Sequence, residues 1–447
     1  MIWKIENVAG TLKFLAKDLD QHDMNKKFLN RMLCVFVVCG VVLISGIVLH
    51  KNIEERQFHG DESGWISSGL YYADLLLTRD FTVDQWEGRQ CGGWGSRYNL
   101  HIGQLLMGIP LRESYRGSGQ RFFGFYDFGK SLEENKKEGR IPPDDLLFRA
   151  RQVSVFFGIL CCLVVVLIGC YAGGIWAGIT AAIVLINNDL FVLCATRAMT
   201  DIYYIFFLLC SCLMILLLAK FSQKRFLVLA GIFCGLATSV KIIGLPILIF
   251  MIFTYLIWEM NLRTLTFWQV LLRIGLFLFC SVAVVYLCNP FFWNILSFFR
   301  FPMMFFDWDT AFKTVDVATN HGPRGQMTWV FGHDRFWAFH HTLGMFLKCA
   351  GFSFSWIFVC GGALWVGFRF MASFLRHERD LWSIPFIFFL SNYLFILIFM
   401  KLNWDRYYLS TVIAGQFMLV YFMIQGPLFL WKLFIEKGGS VQWKRLE

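Results

Sequence analysis

Residues 202–219 read IYYIFFLLCSCLMILLLA, eighteen residues without a charge. A helix needs about 20 mostly apolar residues to cross a bilayer, and an unbroken apolar run of this length is the mark of such a helix. The pattern recurs on both sides. Apolar runs at 32–49, 152–171, 174–192, 226–240, 242–258, 270–288, 345–367, 383–400 and 407–427 bring the predicted spans to about ten. The whole-chain composition agrees. Of 447 residues, 57% are hydrophobic, 18% aromatic and only 16% charged, and 50 are Phe. Soluble domains carry about 25% charged residues. The mean hydropathy of +0.56 excludes a disordered chain, a coiled coil, a secreted disulfide scaffold and an ordinary cytosolic enzyme. What remains is an all-α polytopic membrane protein, with 1–447 forming one transmembrane domain.

Charge sets the expected orientation. Lys plus Arg number 41 against 31 Asp plus Glu, a net charge of +10. Such a balance also suits nucleic acid, but in a membrane protein it follows from the basic bias of cytoplasmic loops, and no nucleic-acid partner is expected. With the N-terminus in the cytoplasm, the 1–31 segment, alternate short loops and the 428–447 tail hold eighteen Lys and Arg, counting Arg273 at the start of the 270–288 run. The short outer loops hold four: Arg197, Lys241, Lys401 and Arg406. An even number of spans returns the basic tail to the cytoplasmic side. The run 32–49 lacks a small-residue cleavage site and reads as an uncleaved anchor. The 14 Cys lie mostly in apolar runs and form no CxxC pattern, so neither a disulfide framework nor a metal motif is expected. No N-x-S/T sequon occurs, which points toward a bacterial inner membrane.

Two outer segments, 50–151 and 289–344, are too long for simple connections. Both are aromatic-rich, with amphipathic stretches such as 100–111, and short helices on the outer membrane face are expected there. Ionisable residues in or beside a membrane are expensive. Here they gather at the outer ends of the spans, which weighs against a pump or channel. Four constellations stand out: His59-Gly60-Asp61-Glu62, Arg197-Ala-Met-Thr-Asp201, Thr238-Ser-Val-Lys241 and Lys401-Leu-Asn-Trp-Asp405-Arg406-Tyr407-Tyr408. Each has a plain reading: an acidic helix start, an i,i+4 surface pair, a snorkelling lysine and interfacial belt aromatics. Together they set a carboxylate pair beside cations suited to phosphate oxygens, an arrangement that suits transfer from a lipid-linked phosphate donor.

These residues resemble motifs of the GT-C-type, polyprenyl-phosphate-sugar-dependent glycosyltransferases, closest to the protein O-mannosyltransferase and aminoarabinose-transferase branch (the PMT-like group, family 39). Asp61-Glu62 with Trp65 and Tyr71-Tyr72 is similar to the acidic motif of the family's first outer loop. Asn99-Leu-His101-Ile-Gly103-Gln104-Leu-Leu-Met-Gly108 resembles its His-Pro-Pro-Leu-Gly-Lys segment, without the prolines and with Gln104 for the lysine. Arg197 to Asp201 resembles its Arg-x-x-x-Asp stretch, and Gly231 to Lys241 its glycine-spaced helix ending in lysine. Asp405-Arg406-Tyr407-Tyr408-Leu409 resembles its late Arg-Tyr-Leu-Pro motif, with Ser410 for the proline.

The resemblance implies a GT-C-like fold and an inverting transfer of a sugar from a polyprenyl-phosphate-linked donor to an acceptor hydroxyl. Asp61 is the implied base, with Glu62 positioning the acceptor or pairing with a cation. Lys241 and Arg406, then Arg197 and Lys401, are implied to hold the leaving phosphate, and His101, Asp201 and Tyr407 to line the substrate site. The implied partners are the lipid-linked donor, membrane lipids and an acceptor protein, lipid or cell-envelope glycan. The active site is expected on the periplasmic or exterior face. No cofactor is expected: the branch does without a metal, although oligosaccharyl transferases of the same superfold use a divalent cation. The spacing of His321, His333, His340 and His341 fits no metal motif. A lipid or solute transporter or flippase without transferase chemistry is the alternative; the expected inverted repeat is not detected. A non-catalytic receptor is the third reading.

Overall fold

The computed structural model describes residues 35–86, 100–115, 126–294, 355–399 and 405–438. Within them, fifteen α-helices and two short 3-10 turns form one layered bundle. In chain order the helices are α1 (Val35–Glu54), α2 (Gly60–Thr78), α3 (Val83–Trp86), α4 (Ile102–Tyr115), α5 (Leu132–Lys137), α6 (Asp144–Gly173), α7 (Ile175–Ile186) and α8 (Asp189–Ala195). There follow α9 (Asp201–Phe221), α10 (Lys224–Val240), α11 (Gly244–Asn261), α12 (Phe267–Cys288), α13 (Ser355–Arg376), α14 (Ser383–Phe399) and α15 (Leu409–Gly438). The 3-10 turns are Pro290–Trp293 and Asp405–Tyr408. The protein is a multi-pass membrane protein.

A helix stands at each predicted span, but not each is a full crossing by length and composition. Seven described helices qualify, or eight when the bent pair α7–α8 is taken as one span. Two of the remaining predicted spans, α10 and α14, run to 17 residues each, short of the usual crossing length. The predicted span 174–192 is broken by 73° at Asn187-Asn188. The Asn188 side chain caps α8 by accepting from the Phe191 amide at 2.9 Å, while Asn187 donates back to the Ile183 carbonyl at 2.8 Å. Both bonds serve local backbone better than a continuous helix. The break turns the chain into the 196–200 loop.

The centre of the bundle is α9. Its most apolar eighteen-residue window is 89% buried, against 22% for α1, α12 and α13, whose apolar faces lie at the periphery. Helix α6 starts at Asp144, ahead of the predicted span, with Pro143 before it and Asp144 and Asp145 in its first turn. Carboxylates favour that end of a helix, and the added turns carry Arg151 inward.

The first outer segment departs from the expected surface helices. Most of α2 is buried, including Glu62, Trp65, Ser68 and Tyr72. It packs on α4 so closely that a Cβ on Gly108 would sit only 1.9 Å from the Gly69 carbonyl oxygen. Glycine alone permits such an approach, as in the small-residue contacts of membrane helices. A Cβ on Gly103 would meet Thr200 at 2.8 Å and Val240 at 2.9 Å, so α4 also sits against the 196–200 loop and the end of α10.

Candidate active site

The site forms where five chain segments end together: the start of α2, the 196–200 loop, the start of α9, the end of α10 and the 3-10 turn at 405–408. His59 caps α2. Its Nδ1 accepts from the Asp61 amide at 3.2 Å, and Glu62 Oε2 accepts from the His59 amide at 3.0 Å, a reciprocal capping box. Being neighbours on a helix, Asp61 and Glu62 point about 100° apart, and their surroundings differ.

Glu62 is fully buried and saturated. Arg151 clasps it with two bonds, Nε to Oε1 at 2.9 Å and Nη2 to Oε2 at 2.8 Å, and the Ala198 amide donates to Oε1 at 2.8 Å. Arg151 is itself held by the Arg56 and Gln57 carbonyls at 2.8 and 3.2 Å. Of the two roles expected for Glu62, this is the pairing with a cation. Contact with an acceptor is closed off, because the carboxylate faces inward. Arg151 escaped the sequence reading. Its only signal is a cation just ahead of an apolar run, inside a segment too long for charge counting.

Asp61 faces the other way. Its Oδ2 accepts from Arg406 Nη1 at 2.6 Å and lies 3.8 Å from His59 Nδ1. With Gly64, Trp65 and Ser68 it lines a cavity about the size of one water. Beyond Arg406, Asp201 Oδ1 accepts from Lys241 Nζ at 2.5 Å. The Arg406 charge also acts on Asp201, so two carboxylates and two cations form one alternating cluster. The expected Arg197–Asp201 pair along one helix does not form. Helix α9 begins at Asp201, which leaves Arg197 in the preceding loop, and Asp201 turns to Lys241.

Several buried polar atoms here lack a hydrogen-bond partner among the described residues: Asp201 Oδ2, Thr200 Oγ1, Arg197 Nε and both ends of the Gln104 amide. Such atoms cost about 1–3 kcal/mol each when left dry, and water or a ligand is the usual reason they persist. His101 is enclosed. Its ring meets Tyr72 at 4.4 Å and Trp86 at 5.0 Å, and Nε2 lies 3.1 Å from the Trp86 carbonyl. Burial pushes its imidazole down to about 4, so it is neutral at ordinary pH. The residue expected to contact substrate is thus fully buried, with Nδ1 lacking a hydrogen-bond partner among the described residues. Its amide donates to Asn289, whose side chain also reaches Ser239 at 3.1 Å, two residues before Lys241. Sequence reasoning missed Asn289.

Lys401 and the four His at 321, 333, 340 and 341 lie outside the described residues, and of Tyr407 only the backbone is described. Among the described residues no group of three or more His, Cys, Asp or Glu is placed to hold a metal ion.

Comparison with known proteins bears on this geometry. The sequence model of the dolichyl-phosphate-mannose-protein mannosyltransferase family matches residues 86–300. The family resemblance holds. The matched stretch contains His101, Arg197, Asp201 and Lys241; Asp61 and Arg406 lie beyond it and join them through the fold. A search of curated proteins gives no match. Among solved structures, the archaeal oligosaccharyltransferase AglB from Archaeoglobus fulgidus, in complex with an inhibitory peptide and a dolichol-phosphate, is 14% identical with a TM-score of 0.51 over 91% of this chain. ArnT from Cupriavidus metallidurans bound to undecaprenyl phosphate is 13% identical with a TM-score of 0.51 over 90% of this chain. ArnT in the apo state is 14% identical with a TM-score of 0.52 over 89%. At such identities the likeness is one of fold. The chain spans 52% of the length of AglB and 62% of that of ArnT.

Proposed function

We propose that the protein is a membrane glycosyltransferase that moves a sugar from a polyprenyl-phosphate-linked donor to an acceptor hydroxyl, with inversion. The reaction takes place on the outer face of a cell membrane, the periplasmic face in a bacterium, with both termini in the cytoplasm. The observation that carries this reading is the cluster Asp61–Arg406 and Asp201–Lys241, gathered from distant segments beside a cavity.

In the mechanism, the acceptor oxygen attacks the anomeric carbon and the polyprenyl phosphate leaves with the electrons of the broken C–O bond. Asp61 takes the hydroxyl proton, since an unactivated hydroxyl is a poor nucleophile. Arg406 and Lys241 stabilise the charge that develops on the leaving phosphate, with Arg197 and Lys401 as further cations. Glu62 holds the start of α2 in place through Arg151. Arg406 and Lys241 are each paired with a carboxylate, Asp61 and Asp201. The donor phosphate therefore competes for Arg406 and Lys241, and its arrival releases Asp61. A carboxylate that loses an adjacent guanidinium becomes more basic, so the base gains strength only when a donor is present. Donor binds before acceptor in this scheme. Tyr407 and Asp201 are assigned to the substrate site in this reading. The acceptor is a hydroxyl of a protein, lipid or envelope glycan.

The test is transfer of labelled mannose from dolichyl phosphate mannose, or of labelled sugar from undecaprenyl-linked donors, by purified protein and an Asp61→Asn variant. Transfer by wild type that is lost in the folded variant supports the reading. Flux of an unaltered donor across proteoliposomes, with no transfer, sinks it.

A further inference from the structure

The residue that caps α2 is a histidine. Ser, Thr, Asp and Asn are the favoured caps, and any of them would satisfy the Asp61 amide. His59 stands there instead, with Nδ1 3.8 Å from the Asp61 carboxylate. The two side chains also differ in access to solvent: His59 is 36% exposed and Asp61 11%. The imidazole is thus the neighbour of the carboxylate with the greater access to water.

We propose that His59 is the proton relay of the transfer reaction, carrying the acceptor's proton from Asp61 to water. The inference rests on the assignment of Asp61 as base. In the resting site the Asp61 amide donates to Nδ1, which assigns the ring proton to Nε2. After glycosyl transfer, the proton on Asp61 Oδ2 passes to Nδ1 and gives an imidazolium. The Nε2 proton then leaves to water, and the ring returns to neutral with one proton after an exchange of tautomer. No other bond changes, and Asp61 is restored as a carboxylate.

The charges around His59 suit this cycle. Burial holds its imidazole below the usual value; Asp61 opposes that and Arg197 and Arg406 reinforce it, with Glu62 a smaller opposing influence. The ring is thus neutral at rest and able to accept. Once charged, it faces two guanidiniums and discharges readily. Tyr126, which packs over Gly60, Arg151 behind Glu62 and Arg56, bonded to Thr196, are further titratable and charged groups at this end of α2 among the described residues. Proton shuttling near neutral pH is the ordinary chemistry of histidine.

The test compares wild type with His59→Asn and His59→Ser, both of which keep a capping oxygen. With dolichyl phosphate mannose and a pool of threonine-containing peptides, kcat falls about tenfold or more in both variants, while the donor KM and the thermal midpoint stay at wild-type values. The acid limb that imidazole protonation imposes on wild-type kcat, below the usual 6.5, disappears in the variants, and free imidazole restores part of the rate. Wild-type kcat and an unchanged pH profile in His59→Asn overturn the relay and leave Asp61 as base. Wild type without transfer overturns both. A readout independent of turnover is the 15N-histidine titration of His59 in detergent. Asp61→Asn moves it further down, because the carboxylate supports the charged ring; a titration indifferent to that substitution contradicts the relay.

Discussion

The two ends of the bundle hold their buried carboxylates in different ways. At the end away from the site, Glu259 accepts from Arg379 at 2.9 Å and from Thr264 at 2.7 Å, and Arg379 also reaches Ser222. Nearby, Arg369 joins Asp380 at 2.8 Å and the Tyr421 hydroxyl at 2.9 Å. The guanidiniums there are 33% and 43% exposed, and the bonds tie helix ends to adjacent turns. At the site end, Arg406 and Lys241 are only 14% and 11% exposed, Arg406 meets Asp61 at the edge of a cavity, and Lys241 meets Asp201, one of whose oxygens lacks a hydrogen-bond partner among the described residues. Exposed pairs are worth little and cost little; buried ones are expensive, and apolar side chains would often replace them without loss. The far end is a clamp. The site end, in the proposed function, uses its charges to hold a phosphate.

The sharpest break in this comparison lies between the two adjacent acids. Asp61→Asn lowers transfer about 10²–10⁴-fold with the thermal midpoint retained. Glu62→Ala instead leaves Arg151 buried and unpaired and destabilises the fold by about 3–5 kcal/mol, read as a lower midpoint in detergent. Interchanged phenotypes would overturn the assignment of roles. Next in size is the contrast between ends: Arg406→Ala weakens lipid-phosphate binding about tenfold to a hundredfold, and Arg379→Ala leaves it untouched while lowering the thermal midpoint. Equal losses in native mass spectra erase the distinction. Gly108→Ala drives a methyl into the Gly69 carbonyl. Overpacking of this kind costs about 1–3 kcal/mol, and kcat falls as well, because Asp61 rides on α2. The smallest effect is one of pH. His101 stays neutral in the fold to about 4, against 6.5 unperturbed. The unfolded chain therefore binds a proton that the folded one refuses between those values, and stability falls as pH drops through that window. His101→Gln flattens that part of the midpoint-against-pH curve; an unflattened curve assigns the loss elsewhere.

The spans were legible because membrane crossing is written in composition, and eighteen uncharged residues at 202–219 leave few alternatives. The break at Asn187-Asn188 carried a signal too, two capping residues inside an apolar run, but hydropathy alone passes over it. Which acid meets which cation was not legible. Asp61 and Arg406 are 345 residues apart, and Asp201 bypasses its local neighbour Arg197 for Lys241. Such pairings belong to the tertiary fold. Arg151 and Asn289 went unnoticed for the same reason: each is an ordinary polar residue near a helix end until the fold sets it against Glu62 or between His101 and Ser239.

The central claim is that the site's cations are held by carboxylates until a lipid-linked phosphate takes them. It is tested most directly by titrating undecaprenyl phosphate into wild type, Asp61→Asn, Lys241→Ala and Arg406→Ala by native mass spectrometry. The account predicts weaker binding in the two cation variants and tighter binding in Asp61→Asn, where Arg406 no longer has a carboxylate to leave. Binding in Asp61→Asn that equals or falls below wild type, or binding that survives both cation substitutions, would contradict it.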